Sequence, residues 1–170
     1  MKTAGFDARA VANQILSLAE IRTIPLTNLH LQKVVFFSHA EFLLKTGLEL
    51  VLNRFEAWEH GPVIPELYHA LKRFDDSPIV GRAQKYDFVS KAYLDVIDDF
   101  AVSTRSFLET MLMSYGRMDA WALVDLSHAS GGPWSITVER AKQHANFAMI
   151  IEPALIRDCF RPMSPDIVKH

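Results

Sequence analysis

The segment from Asn28 to Thr46 most constrains what this chain can fold into. Leu31, Val35, Ser38 and Phe42 recur on one helical face, and Val34, Phe37 and Leu44 widen it until the helix is apolar on several sides. Such a helix has to be surrounded by other elements. Thr27 is placed to cap its start, and Gly47 to end it in a left-handed conformation. The expected architecture is mainly α: a single compact multi-helix domain over residues 1–170 built round this helix.

Other helices read from similar signals. Asp7 caps a helix to about Ile21 that carries Val11, Ile15 and Leu18, and Arg22 to Pro25 break it. Over 48–58 the helical period disappears, and Val51, Leu52, Phe55 and Trp58 suggest short strands. A small β element of two or three strands is therefore expected around residues 48–60, with 82–90 a candidate for a further strand. Gly61-Pro62 is read as a turn, followed by a helix carrying Val63, Leu67, Tyr68, Leu71 and Phe74, with Pro65 in its first turn. Ser90 is read as the cap of the longest helix, running to Tyr115 with Leu94, Ile97, Leu108, Met111 and Leu112 in its stripe. Met118 to Ser127 reads as a short helix with Trp121, Leu123 and Val124 turned inward. A helix over Thr137 to Met149, a last one opened by Glu152-Pro153, and a loose tail from Arg161 complete the expectation.

Composition removes several classes of function. A net charge of −2 supplies no general attraction to a phosphate backbone, and Lys and Arg are scattered, so nucleic acid is not an expected partner. One cysteine, Cys159, excludes an intrachain disulfide and any multi-cysteine metal site. The most apolar run, Phe147 to Ile156, is interrupted by Glu152 and Pro153 and falls short of the ~20 residues that span a bilayer. With no signal-peptide pattern in Met1 to Arg9, the cytoplasm is the expected location.

No catalytic constellation stands out, and neither a metal nor another cofactor is expected. The seven histidines show no zinc spacing. Glu56, Glu59 and Glu66 could include a carboxylate pair, but the two-residue offset is read as separating Glu56 from Trp58, and Glu66 lies a turn away. Ser127-His128 is read as a helix end, with the His128 side chain bonding the last carbonyls. Gly131-Gly132 is read as lacking the strand and helix start of a phosphate cradle, and Cys159 as a free core thiol. Aromatic residues are denser than chemistry here: Phe36, Phe37, Phe55, Trp58, Tyr68 and Trp134 belong either to the core or to an interface rich in Trp and Tyr.

Three stretches carry a resemblance. They are Leu29-His30-Leu31-Gln32-Lys33 with Phe36 and Phe37, then Phe55-Glu56-Ala57-Trp58-Glu59-His60-Gly61-Pro62-Val63-Ile64-Pro65-Glu66-Leu67-Tyr68, and finally Leu126-Ser127-His128 with Pro133-Trp134. Together they resemble the Panacea domain, the SocA-like or GepA-like phage-associated family, with motifs spanning 29–134. The chain departs from that pattern where Phe36-Phe37 replaces tyrosines, Ser127 a threonine, and Ser130-Gly131-Gly132 an acidic residue. The resemblance implies a bacterial or phage antitoxin that neutralises a cognate toxin protein. Some members are similar to adaptors that deliver the toxin to the ClpXP protease. The partner surface expected here is Trp58, Glu59, His60, Gly61, Pro62 and Tyr68, with Gln32 and Lys33 nearby. Leu31, Phe36, Phe37, Phe55, Glu56, Pro65, His128, Pro133 and Trp134 are expected to be motif or structural residues. The alternatives are an enzyme using Glu56 with His60 or His128, and a phage or mobile-element accessory binding a host protein or DNA.

Overall fold

The computed structural model describes residues 1–144 and 149–163. Its first helix, α1 (Ala8–Arg22), is capped by Asp7, whose carboxylate accepts from the Arg9 amide. The second, α2 (Asn28–Thr46), is capped by Thr27 through the His30 amide and ends at Gly47 with φ 71°. Gly47 takes the left-handed conformation that a residue with a Cβ rarely adopts. Leu31, Val34, Val35, Phe36, Phe37, Ala40 and Leu43 of α2 all enter one contiguous core. The helix is central, as its apolar breadth requires.

After α2 the chain forms the hairpin β1 (Phe55–Trp58) and β2 (Gly61–Val63), followed by α3 (Pro65–Leu71), which begins on Pro65. Trp58 pairs with Gly61, so the turn is Glu59-His60, and Gly61-Pro62 lie within the strand instead of forming the turn. Proline is tolerated there because β2 is the edge of a sheet ordered β2-β1-β5. The third strand, β5 (Ile150–Ile151), arrives from far along the chain and pairs with Phe55 and Glu56.

Strand β3 (Gln84–Asp87) falls within the 82–90 stretch expected to hold a further strand. The largest departure from expectation lies at 90–101, where in place of the first turns of a helix capped by Ser90 stands β4 (Ala92–Asp95). It closes an antiparallel hairpin with β3, paired from Gln84↔Asp95 to Asp87↔Ala92. Helix α4 (Val102–Tyr115) starts only afterwards. Ser90 does make a capping-type bond, but its amide donates to the Asp87 carboxylate within the hairpin loop, and Lys91 turns the chain at φ 53°. Leu94 and Ile97, assigned to a buried stripe by their spacing, are exposed, whereas Leu108, Met111, Leu112 and Tyr115 are buried. Asn13 fixes the base of the hairpin: its amide nitrogen donates to the carbonyls of Ala83 and Val96, and its oxygen accepts from the Ala83 amide.

Helix α5 (Ala120–Ser127) is capped by Asp119, α6 (Pro133–Gln143) begins directly after Gly132, and α7 (Pro153–Cys159) opens as expected after Glu152. The start of α6 corrects two readings: it precedes Thr137, and Gly131-Gly132 does stand before a helix. The part of the expected Thr137 to Met149 helix over 145–148, and the tail over 164–170, lie outside the described residues. No helix of the described residues is long and apolar enough to cross a membrane.

Candidate functional site

Three side chains from distant elements hold the backbone of the β1–β2 hairpin. Lys33 Nζ donates to the Pro62 carbonyl at 3.0 Å, Gln32 Oε1 accepts from the Ile64 amide at 3.0 Å, and Trp134 Nε1 donates to the Trp58 carbonyl at 2.9 Å. Gln32 and Lys33 are buried on the central helix, and Gly61 and Pro62 are buried within strand β2 of the hairpin. Gly61 has φ 95°, and a Cβ there would meet Lys33 Cε at 2.8 Å, with Ser127 Oγ nearer still. Only glycine lets α2 and α5 close this tightly on the hairpin.

Lys33 is 0% exposed, and burial pushes its ammonium down to about 7. A buried amine near neutrality is what desolvation predicts when no carboxylate compensates. His128 stacks on Trp134 with ring centroids 3.7 Å apart. Its ring does not bond the end of α5 as expected; the backbone N–H does, donating to Val124 and Asp125. Its Nε2 is buried and has no hydrogen-bond partner among the described residues. Burial holds the imidazole below its usual range, helped by the Lys33 charge and by His60, while Asp125 opposes the shift.

In front of this support lies a cleft of about 440 Å³ lined by Trp58, Glu59, His60, Tyr68, Trp121 and Lys72, with Asp75 and Asp76 at one side. Trp58 and Tyr68 meet edge to face at 5.0 Å, and His60 meets Trp121 at 5.1 Å. Glu56 sits with Trp58 instead of being separated from it: residues two apart on a strand share a face, and Trp58 Nε1 donates to the Glu56 carboxylate at 2.8 Å. Trp121, expected inside, is 55% exposed. Two positions along a helix rotate about 200°, so the turn that buries Leu123 carries Trp121 to the opposite side.

The expected surface therefore divides into two layers. Trp58, Glu59, His60 and Tyr68 line the cleft, as does the buried Gln32, and Lys33, Gly61 and Pro62 stand behind it. Leu31, Phe36, Phe37 and Phe55 belong to the core, with Phe37 stacked on Tyr115 at 4.7 Å and Phe36 edge-on to Phe55 at 5.2 Å. Pro65 and Pro133 each start a helix. Glu56, His60 and His128 do not converge on one point: Glu56 is turned to Trp58, His60 to Trp121, and His128 to Trp134. Among the described residues no group of three or more His, Cys, Asp or Glu side chains could hold a metal. Cys159 is free and half-buried.

A second surface escaped the sequence. The β3–β4 hairpin carries Tyr86 between Phe88 and Tyr93, with ring centroids 5.0 and 5.3 Å away. Phe88 is 83% and Val89 93% exposed. The signal was present in the alternation of Tyr86, Phe88, Tyr93 and Asp95, but the loop has no glycine or asparagine to announce a turn.

The fold and the cleft define a mainly helical domain with an aromatic cleft braced from behind. Comparison with known proteins gives the class a family: residues 31–135 match the antitoxin SocA-like, Panacea domain, and the chain belongs to that family. It is similar to Antitoxin SocA of Caulobacter vibrioides (strain NA1000 / CB15N), with 39% identity over 155 residues, 91% of this chain and 82% of that protein. No solved structure matches the chain.

Proposed function

We propose that this protein is an antitoxin that binds and neutralises a cognate toxin protein, and that the cleft of Trp58, Glu59, His60, Tyr68 and Trp121 is the contact surface. The observation that carries the reading is the 39% identity to Antitoxin SocA over 91% of the chain. The cleft supports it physically, because half-exposed Trp58 on the hairpin and Tyr68 on α3 gain contact area at little cost in side-chain entropy. Gln32, Lys33, Gly61 and Pro62 act by holding that hairpin. The action takes place in the cytoplasm, where the bound toxin is passed on to a ClpXP-type protease.

The test is recovery of partners from the native host on the tagged protein, then expression of each partner with and without it. A partner that stops growth alone and is tolerated together with this protein supports the reading. Recovery of stable, non-toxic partners only would remove it. The half-life of the toxin in cells with and without ClpX separates delivery to the protease from masking: an unchanged half-life leaves masking.

The exposed tip at Phe88 and Val89 favours a second contact surface on the same protein, since monomeric proteins seldom leave a contiguous apolar patch uncovered. Charged replacements at Phe88 and Val89 that leave every recovered partner bound would exclude it.

A further inference from the structure

We infer that the cleft receives an arginine side chain of the bound protein, held between the Trp58, Tyr68 and Trp121 rings and the carboxylates of Glu59, Asp75 and Asp76. This rests on the proposed reading, which supplies a protein partner, and names the chemistry by which that partner is recognised.

The argument starts from the walls. Trp58, Tyr68 and Trp121 line one cavity, the rings of Trp58 and Tyr68 meet edge to face, and the indole of Trp58 is fixed by its bond to Glu56. Aromatic faces attract cations, Trp most strongly, and a guanidinium also stacks on them as a flat plate. Cation–π pairs within the described chain join Lys2 to Phe6, Lys45 to Phe107 and Arg73 to Phe74, so none of them occupies these rings. Charge selects the same occupant: three carboxylates line the cleft against the single ammonium of Lys72. A buried apolar anchor would gain from the rings but nothing from Glu59, Asp75 and Asp76, whereas an anionic group would be repelled. Arginine satisfies both sets of walls, because its plane covers a ring while its N–H groups reach carboxylates in pairs.

The backbone geometry favours a preformed receptor. Asn28 Nδ2 donates to the Tyr68 carbonyl at 3.3 Å, so both ends of the aromatic wall are tied to α2: Tyr68 through Asn28, and the hairpin through Gln32 and Lys33. A cavity already held open needs no ordering when the ligand enters.

The experiment uses the whole protein, labelled with nitrogen-15, and follows its tryptophan indole N–H signals. The probe is N-acetyl-arginine amide, with N-acetyl-norleucine amide as the uncharged control of similar length. Saturable shifts of Trp58 and Trp121, with affinity on the order of millimolar and about fivefold or more tighter than norleucine, are expected for one caged side chain. Glu59→Gln with Asp75→Asn and Asp76→Asn should weaken the arginine probe about fivefold and leave the norleucine probe unchanged. If that triple variant melts abnormally, Glu59→Gln alone replaces it.

Equal response to the two probes would assign the cleft to an apolar side chain and overturn the inference, as would shifts confined to other residues or no shift at all. Indole shifts that track dilution of the protein itself, together with a dimer in sedimentation, would assign the cleft to a second copy of this chain. The two readings fail separately: titration needs no toxin, and rescue from toxicity needs no arginine.

Discussion

Trp134 donates its indole N–H to the main-chain carbonyl of Trp58 at 2.9 Å, joining residues 76 positions apart. One side chain at the start of α6 thus fixes the strand that carries Trp58 of the cleft. Trp134→Phe keeps a ring against His128 but removes this bond. A partly buried carbonyl left without its donor should cost about 1–2 kcal/mol, read as a lower urea midpoint at unchanged slope.

Gly61→Ala should be among the most damaging single-methyl additions in the protein. The residue sits at φ 95°, and its Cβ would press on Lys33 Cε and Ser127 Oγ. Neither can swing aside freely, because Lys33 is bonded to Pro62 and Ser127 to Val124. A loss of about 3 kcal/mol or more is expected. Adding Ser127→Gly should restore only part of it, since the backbone conformation remains unfavourable.

Lys33 makes stability depend on alkaline pH. Folded, the amine gives up its proton near 7; unfolded, it holds the proton to about 10.5. The unfolded chain binds more protons between those values, so stability rises with pH across that window and is lowest below it. Lys33→Met removes the titrating group. Its stability relative to the natural protein should therefore be better at pH 6 than at pH 10, by on the order of 2–4 kcal/mol. Equal differences at both pH values would show that folded Lys33 keeps its proton as far as the unfolded chain does.

His39 acts on the acid side. Burial pushes its imidazole down to about 4, and Nδ1 accepts from the Val51 amide at 3.3 Å. Neutral imidazole is the form that can accept. The stability this provides is fully present above about pH 6.5 and is lost as pH falls toward 4, by about 3 kcal/mol in all. His39→Gln should flatten that part of the acid profile, whatever its effect on stability at pH 7.

Trp58→Ala tests the cleft. The side chain is half-buried, so the variant should remain folded, and a toxin bound through the cleft should lose about 2 kcal/mol or more of affinity. Isothermal titration of the purified pair measures it. Unchanged affinity with an unchanged melting curve would move the contact elsewhere, with the Phe88 tip the next surface to test.

Helix ends were the most readable part of the sequence. Asp7, Thr27 and Gly47 cap where they were expected to, because capping depends on a few local bonds. The β3–β4 hairpin was only half readable: β3 lies within the expected 82–90 strand, but β4 was hidden because Leu94, Ile97 and Ala101 lie at helical spacing. Strand β5 joins Phe55 through a pairing that no local pattern encodes. At the cleft, the sequence named Trp58, Glu59, His60 and Tyr68 because they are close in the chain. Trp121, Asp75 and Asp76 arrive through tertiary structure. The roles of Gln32 and Lys33 were missed for the opposite reason: polarity suggested surface, but their polar atoms satisfy buried backbone groups.

The hairpin at 84–95 hangs from the body by the bonds of Asn13 to Ala83 and Val96, and its outer residues contribute little to the core. Mutation can therefore rewrite Phe88, Val89 and Tyr93 almost without a folding penalty, whereas the braced backbone under Trp58 tolerates little change. Descendants of such a chain can drift quickly in what the finger touches while inheriting the cleft nearly intact.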